Sequence, residues 1–256
     1  MRAPLVLLAM LLTTAPSAAE TQAEPNHVDL ELVLAIDASG SVDEAEYGLQ
    51  MSGLAEALRD PEVAAAIAGG PTGAIAVTAM LWAEGNRPKQ LLGWARLSDR
   101  TSIESFAAKV AGMPRDLPAG GTGIGKALQY ATWEIERNAY TSRRQVIDLS
   151  GDGRETAFRE FSLSAAQGRA LAVLKGITVN GLAILNEVPD LADYYRAEVS
   201  GGPGAFVEVA HGYEDFAEAM KRKLRREIEW RPQISRTSAG DGAAATAERR
   251  EGRAAR

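Results

Sequence analysis

Three short polar stretches carry the side chains of this chain that could do chemistry. Asp37-Ala38-Ser39-Gly40-Ser41 follows an apolar run, Gly120-Gly121-Thr122-Gly123 opens a helical pattern, and Gly151-Asp152-Gly153 follows a second apolar run. Together they offer Asp37, Ser39, Ser41, Thr122 and Asp152, two carboxylates and three hydroxyls, all oxygen donors. Oxygen-only ligation with few charges suits a hard cation, Mg2+ first and Mn2+ or Ca2+ after it. The rest of the composition narrows the chemistry further. The 256 residues include no cysteine and only two histidines, His27 and His211. That excludes disulfides, thiolate metal sites and a cysteine nucleophile, and leaves little for an imidazole base.

Each of these residues also has an ordinary structural use. Ser41 with Glu44 spells a capping box. Thr122 is placed to cap a helix starting near Ile124, and Asp152 between two glycines suits a turn. Gly120 to Lys126 matches G-x-x-x-x-G-K, the phosphate loop of nucleotide hydrolases. Ala127, however, stands where that loop needs Ser or Thr, and Met113–Ala119 before it is not a buried strand. A G-x-S-x-G nucleophile elbow is absent from the sequence.

The elements that must position these residues alternate between strand and helix. Leu30–Ile36 is a near-continuous apolar run, as in a strand buried on both faces of a parallel sheet. Tyr47, Met51, Leu54 and Leu58 follow at helical spacing, and Asp60-Pro61 and Gly69-Gly70-Pro71 punctuate the chain. Ala74–Trp82 and Gln90–Leu97 read as strands joined by a turn at Glu84–Pro88, which makes Gln90–Leu97 an antiparallel edge strand. Helices are expected at Ile103–Met113, along Ile124, Leu128, Ala131 and Ile135, near Phe161–Lys175, at Asp190–Val199, and along Phe216, Met220, Leu224 and Ile228. Further strands are expected at Gln145–Leu149, Thr178–Leu185 and Phe206–Val209. The pattern is that of an α/β fold, a doubly wound, mostly parallel sheet with helices on both faces. Open parallel sheets bind ligands beyond the carboxyl ends of their strands, where the three polar stretches fall.

Asp37-x-Ser39-x-Ser41, Thr122 in a Gly-Gly-Thr loop and Asp152 after an apolar strand resemble the metal-ion-dependent adhesion site of von Willebrand factor type A domains. The resemblance covers roughly residues 28–229, and extends to an exported bacterial subfamily of uncharacterised function through Val146–Gly153 (VIDLSGDG). It implies the von Willebrand factor A, Rossmann-like form of the doubly wound sheet. By resemblance, Ser39 and Ser41 ligate a metal directly, Thr122 directly or through water, and Asp37 and Asp152 act mainly through water. Neutral hydroxyls leave a cation only partly neutralised, so a partner's carboxylate can complete its shell. Asp148, inside the strand four residues before Asp152, reads either as an anchor for that site or as a buried acid satisfied by backbone donors.

Residues 1–19 read as a signal peptide. Arg2 precedes the apolar run Leu5–Leu12, and the small residues Ser17 and Ala19 precede Glu20. The run is far shorter than the ~20 residues needed to span a bilayer, so the expectation is an exported protein, periplasmic or secreted after cleavage near Ala19, without an integral membrane segment. Residues 28–230 form the expected domain. Residues 231–256, basic and rich in Ala and Gly, read as a disordered tail. The 28 basic and 34 acidic residues are unevenly spread, with +6 on Lys221–Arg256 and −13 on residues 20–220. An acidic body argues against nucleic acid as a partner. The function expected is divalent-cation-dependent capture of a protein that presents Asp or Glu, not enzymatic catalysis. The alternatives are a periplasmic scaffold or assembly factor with a structural metal and, behind it, a metal-assisted hydrolase that lacks an evident general base.

Overall fold

A computed structural model describes residues 26–84, 89–118, 120–156 and 163–229. The segments read as leader and tail, residues 1–19 and 231–256, lie outside the described residues, as do most of the Glu84–Pro88 turn and the predicted helix start at Phe161.

The centre of the molecule is a six-stranded sheet in the order β3-β2-β1-β4-β5-β6. The strands are β1 (Leu30–Asp37), β2 (Ile75–Trp82), β3 (Gln90–Leu97), β4 (Gln145–Gly151), β5 (Thr178–Ile184) and β6 (Val207–Ala210). Only β3 runs antiparallel, against β2 at the edge, and all other pairings are parallel. The doubly wound α/β architecture expected from the sequence is the one observed.

Every residue of β1 is buried, which explains its lack of polar alternation. Leu30, Leu32, Leu34 and Ile36 pack on one side with α1 (Glu44–Arg59), α2 (Pro61–Ala68), α3 (Arg100–Ala111) and α7 (Phe216–Ile228). Val33 and Ala35 pack on the other with α4 (Ile124–Arg137), α5 (Ala165–Leu174), the short α6 (Leu191–Tyr194) and the π-helical turn Tyr195–Val199 that continues it. Each large aliphatic side chain so buried contributes roughly 1.5–3 kcal/mol, so both layers hold β1 and fix where its last residue, Asp37, emerges.

Two elements differ from the sequence reading. Asp60-Pro61, read as a break, starts α2, because the Asp60 carboxylate caps the Glu62 amide and proline fits the first helical position. The segment Asp190–Val199 is helical, but one turn of it is π-helix, closed by the Ser200 amide donating to the Tyr195 carbonyl at 2.8 Å.

Candidate metal centre

The chain winds outward from β1 in both directions, with β2 and β3 on one side and β4 to β6 on the other. The crevice between the carboxyl ends of β1 and β4 is therefore the switch point of the sheet. Asp37 is the last residue of β1 and Asp152 follows the last residue of β4. Thr122 sits two residues before α4, in the loop that returns from the edge of the sheet.

Ser41 ties the first and third stretches together. Its hydroxyl donates to Asp152 Oδ1 at 2.8 Å and lies 3.1 Å from the Ser39 hydroxyl. Asp37 Oδ1 accepts from the Ser39 amide at 2.7 Å, turning the chain sharply at the strand end. Thr122 is buried, and its hydroxyl faces the third loop: a Cβ added at Gly153 would lie 3.4 Å from Thr122 Oγ1. Asp37, Ser39 and Asp152 are buried as well, and Ser41 is the exposed member of the set.

The ordinary uses of two of these residues are taken by others. Asp43 with Glu46, not Ser41 with Glu44, forms the capping box of α1. Helix α4 has Gly123 at its N-cap position and no side-chain cap, so Thr122 does not cap it. The α4 amide at Gly125 donates instead to Glu155 Oε2 at 2.8 Å. A carboxylate thus occupies the place where a phosphate loop would seat its anion.

Several residues that sequence reasoning missed hold the loops. The Arg115 guanidinium donates to the carbonyls of Ala38 (3.0 Å), Ser39 (2.7 Å) and Val42 (2.8 Å), clasping the whole first loop. The Gly40 amide donates to the Gly120 carbonyl at 2.8 Å, and the Gly123 amide to the Ala83 carbonyl at 3.1 Å. Thr156 Oγ1 accepts from the Thr122 amide at 2.7 Å. The Tyr213 hydroxyl, just before α7, donates to Asp152 Oδ2 at 2.9 Å. With Ser41 on its other oxygen, Asp152 is held from two directions. A cation among polar loop residues was the available signal for Arg115. For Tyr213, 61 residues from Asp152, sequence offered none.

Asp148 belongs elsewhere. It is buried on the α7 side of β4, and its Oδ1 lies 2.6 Å from Lys223 Nζ of α7, so it pairs with a side-chain ammonium and not with backbone donors or the switch-point cluster. Lys223 also pairs with Glu227 at 2.6 Å, and Asn180 of β5 donates to the same Glu227 oxygen at 2.8 Å.

The donor set fits a small hard cation. Oxygens bound side by side on Mg2+ at ~2.0–2.1 Å stand ~2.9 Å apart, close to the 3.1 Å between the Ser39 and Ser41 hydroxyls. Burial and the nearby Asp152 carboxylate push Asp37 up to about 7, and a divalent cation would reverse that repulsion. Asp37 Oδ2 is buried without a hydrogen-bond partner. Among the described residues no three of His, Cys, Asp and Glu gather as a metal cluster, so the hydroxyls have to supply much of such a shell.

A six-stranded, mostly parallel sheet with one antiparallel edge and a polar cluster at its switch point defines a von Willebrand factor A-type fold, as comparison with solved structures also shows. The pilus adhesin SpaC of Lactobacillus rhamnosus GG, in its open conformation, is 12% identical over 78% of this chain and 30% of its own, with a TM-score of 0.55. The vWF domain of Mfa5, the type V pili tip protein of Porphyromonas gingivalis, is 12% identical over 81% of this chain and 98% of its own, TM-score 0.54. Proximal thread matrix protein 1 of the mussel byssus, with a zinc-occupied MIDAS motif, is 14% identical over 78% of this chain and 46% of its own, TM-score 0.54. This chain thus spans less than half the length of SpaC and of the byssus protein. No curated protein matches it in sequence. The family model that matches, over residues 27–232, is DUF1194, described as a protein of unknown function, and the chain belongs to that family.

Proposed function

We propose that this chain is a divalent-cation-dependent binding module that captures an acidic side chain of a partner protein. The observation that carries the reading is Ser41. Freed from capping by Asp43, its hydroxyl stands between Ser39 Oγ and Asp152 Oδ1 at 3.1 and 2.8 Å, the only exposed member of the cluster. Ser39, Ser41 and Thr122 would hold the cation, with Asp37 and Asp152 orienting its waters and balancing charge. Mg2+, Mn2+ or Ca2+ bound there supplies an incompletely neutralised positive centre for an outside carboxylate.

The protein's own contacts favour binding over a purely structural metal. Arg115, the Gly40–Gly120 bond and the Gly123–Ala83 bond join the loops without help from an ion. Such a shell is preorganised, which lowers the cost of ligand capture. Of the two histidines, His27 pairs with Thr141 before β1, and His211 follows β6 with its amide on Asp215. The SpaC and Mfa5 relatives are pilus proteins, in keeping with protein partners. We further propose that residues 1–19 direct export, with cleavage near Ala19, and that residues 28–230 act without an integral membrane segment. Among the described residues no helix is long and apolar enough to cross a membrane.

Water-proton relaxation of the Mn2+-loaded protein tests the reading. A glutamate-bearing peptide should lower the relaxation enhancement by displacing bound water, and its glutamine counterpart should not. Failure to bind Mn2+ at millimolar concentration would overturn the cation site. Bound Mn2+ that no acidic peptide affects would leave the ion structural and overturn carboxylate capture.

A further inference from the structure

Tyr195 has no exposed surface, yet its hydroxyl lacks a hydrogen-bond partner. Two buried glycines of adjacent strands make room for it. A Cβ on Gly181 of β5 would come within 2.7 Å of the Tyr195 ring, and a Cβ on Gly151 of β4 within 2.7 Å of its hydroxyl. Separations that short do not occur for real side chains, so no larger residue fits either position without displacing the ring. Glycine inside a strand costs stability and marks a close approach. The backbone that delivers the ring is also unusual, since Tyr195 begins the π-helical turn, and such turns concentrate at functional sites.

The hydroxyl is delivered beside Asp37. The same Cβ on Gly151 would lie 2.8 Å from Asp37 Oδ2, so the Tyr195 hydroxyl and Asp37 Oδ2 converge on one point. Each is buried, and neither has a hydrogen-bond partner, the other included. One is a donor and the other an acceptor. The Trp82 ring closes the pocket, its Cζ2 atom 3.3 Å from that point.

We propose that Tyr195 is a positioning residue for the cation site, its hydroxyl donating to Asp37 Oδ2 across one bridging water while the Ser39 amide holds Oδ1. Asp37 then has both oxygens fixed, as Asp152 has through Ser41 and Tyr213. The proposal rests on the cation reading above and adds a donor that the family resemblance does not supply. Partners of this kind that orient a metal's surroundings are typically worth ~10–100-fold in affinity.

The test uses the full chain. Tyr195→Phe should bind Mn2+ at least tenfold more weakly than wild type, while the metal-free melting temperature changes little. A second measurement needs no metal: the 13Cζ resonance of Tyr195 in metal-free protein should move in Asp37→Asn, because the acceptor changes from a carboxyl to an amide. Equal Mn2+ affinity of Tyr195→Phe and wild type, or a Tyr195 resonance indifferent to Asp37→Asn, would overturn the proposal while leaving the cation site standing. A wild type that binds no Mn2+ would instead overturn the cation reading and, with it, the role given to Tyr195.

Discussion

At the scale of single residues, the switch point separates two neighbouring side chains that sequence alone confuses. Ser41 and Asp43 are both placed to cap α1, and the cap goes to Asp43, whose carboxylate takes the Glu46 amide at 2.8 Å. Asp43→Ala should therefore cost about 1 kcal/mol, lowering the melting temperature by roughly 2–4 °C for a domain of this size, with Mn2+ affinity unchanged. Ser41→Ala should do the reverse, leaving metal-free melting nearly intact and weakening Mn2+ binding by tenfold or more. Thermal melts paired with Mn2+ titrations of both variants check this. If Ser41→Ala lowered melting as Asp43→Ala does and kept its Mn2+ affinity, the hydroxyl would be structural. Ser39 and Asp152 were legible in the same sense as Ser41, since residue type and position after a strand pointed to them, and Thr122 was legible from its Gly-rich loop before a helix. Arg115 was legible only as a charge in a loop, and Tyr213 and Tyr195 were not legible at all. Their partners are set by which loops and helices the sheet order brings together, and no local pattern encodes that.

At the scale of elements, near-continuous apolar runs announced β1 and β2 because burial on both faces leaves little polar alternation to misread. Helix α2 was hidden because Asp60-Pro61 signals equally a stop for one helix and a start for the next. The role of Asp148 was hidden for a different reason, as its partner Lys223 lies in the last helix. There α7 is fastened to the sheet by a buried group of two carboxylates and one ammonium, Asp148, Glu227 and Lys223, with Asn180 beside them. Arg144 adds bonds to the carbonyls of Glu227 and Ile228 at the end of the same helix. One cation cannot neutralise two acids. Burial first, and the Asp148 charge second, push Glu227 up to about 8, above the ~4.3 of a free glutamate. For an acid raised on folding, stability is complete below the unfolded value and is lost as pH rises toward the folded one. The metal-free protein should thus melt at progressively lower temperature from about pH 5 to pH 8. Glu227→Gln keeps a neutral side chain beside Lys223 and should flatten part of that decline. Asp37, raised to about 7, gives a decline of the same sign in both proteins, so the difference between the two curves isolates Glu227. Parallel curves would show that Glu227 ionises normally in the folded state.

At the scale of the whole molecule, the candidate site joins positions far apart in the chain, Asp37 to Ser41, Thr122 and Asp152, which only the completed sheet assembles. A cation held by all three loops binds the folded state and has no preformed site in the unfolded one. Its stabilisation follows mass action, about 2.7 kcal/mol at a hundredfold excess over the dissociation constant, or roughly 5–10 °C for a domain of this size. The loops are already tied by Arg115 and by backbone bonds, so the gain should not come from reorganising them. Hydrogen exchange with and without Mg2+ separates these possibilities. Added protection should fall on peptides spanning 37–42, 120–124 and 150–154, while the opposite edge of the sheet, where His27 pairs with Thr141, responds only as global stability rises. A melting increase accompanied by ordering spread through α6 and α7 would mean that the ion folds the molecule rather than equips it, and the structural-metal reading would then displace capture. An increase confined to the three loops, and abolished in Asp37→Ala, would leave a rigid frame with one reactive point at the switch of its sheet, the arrangement a binding module needs.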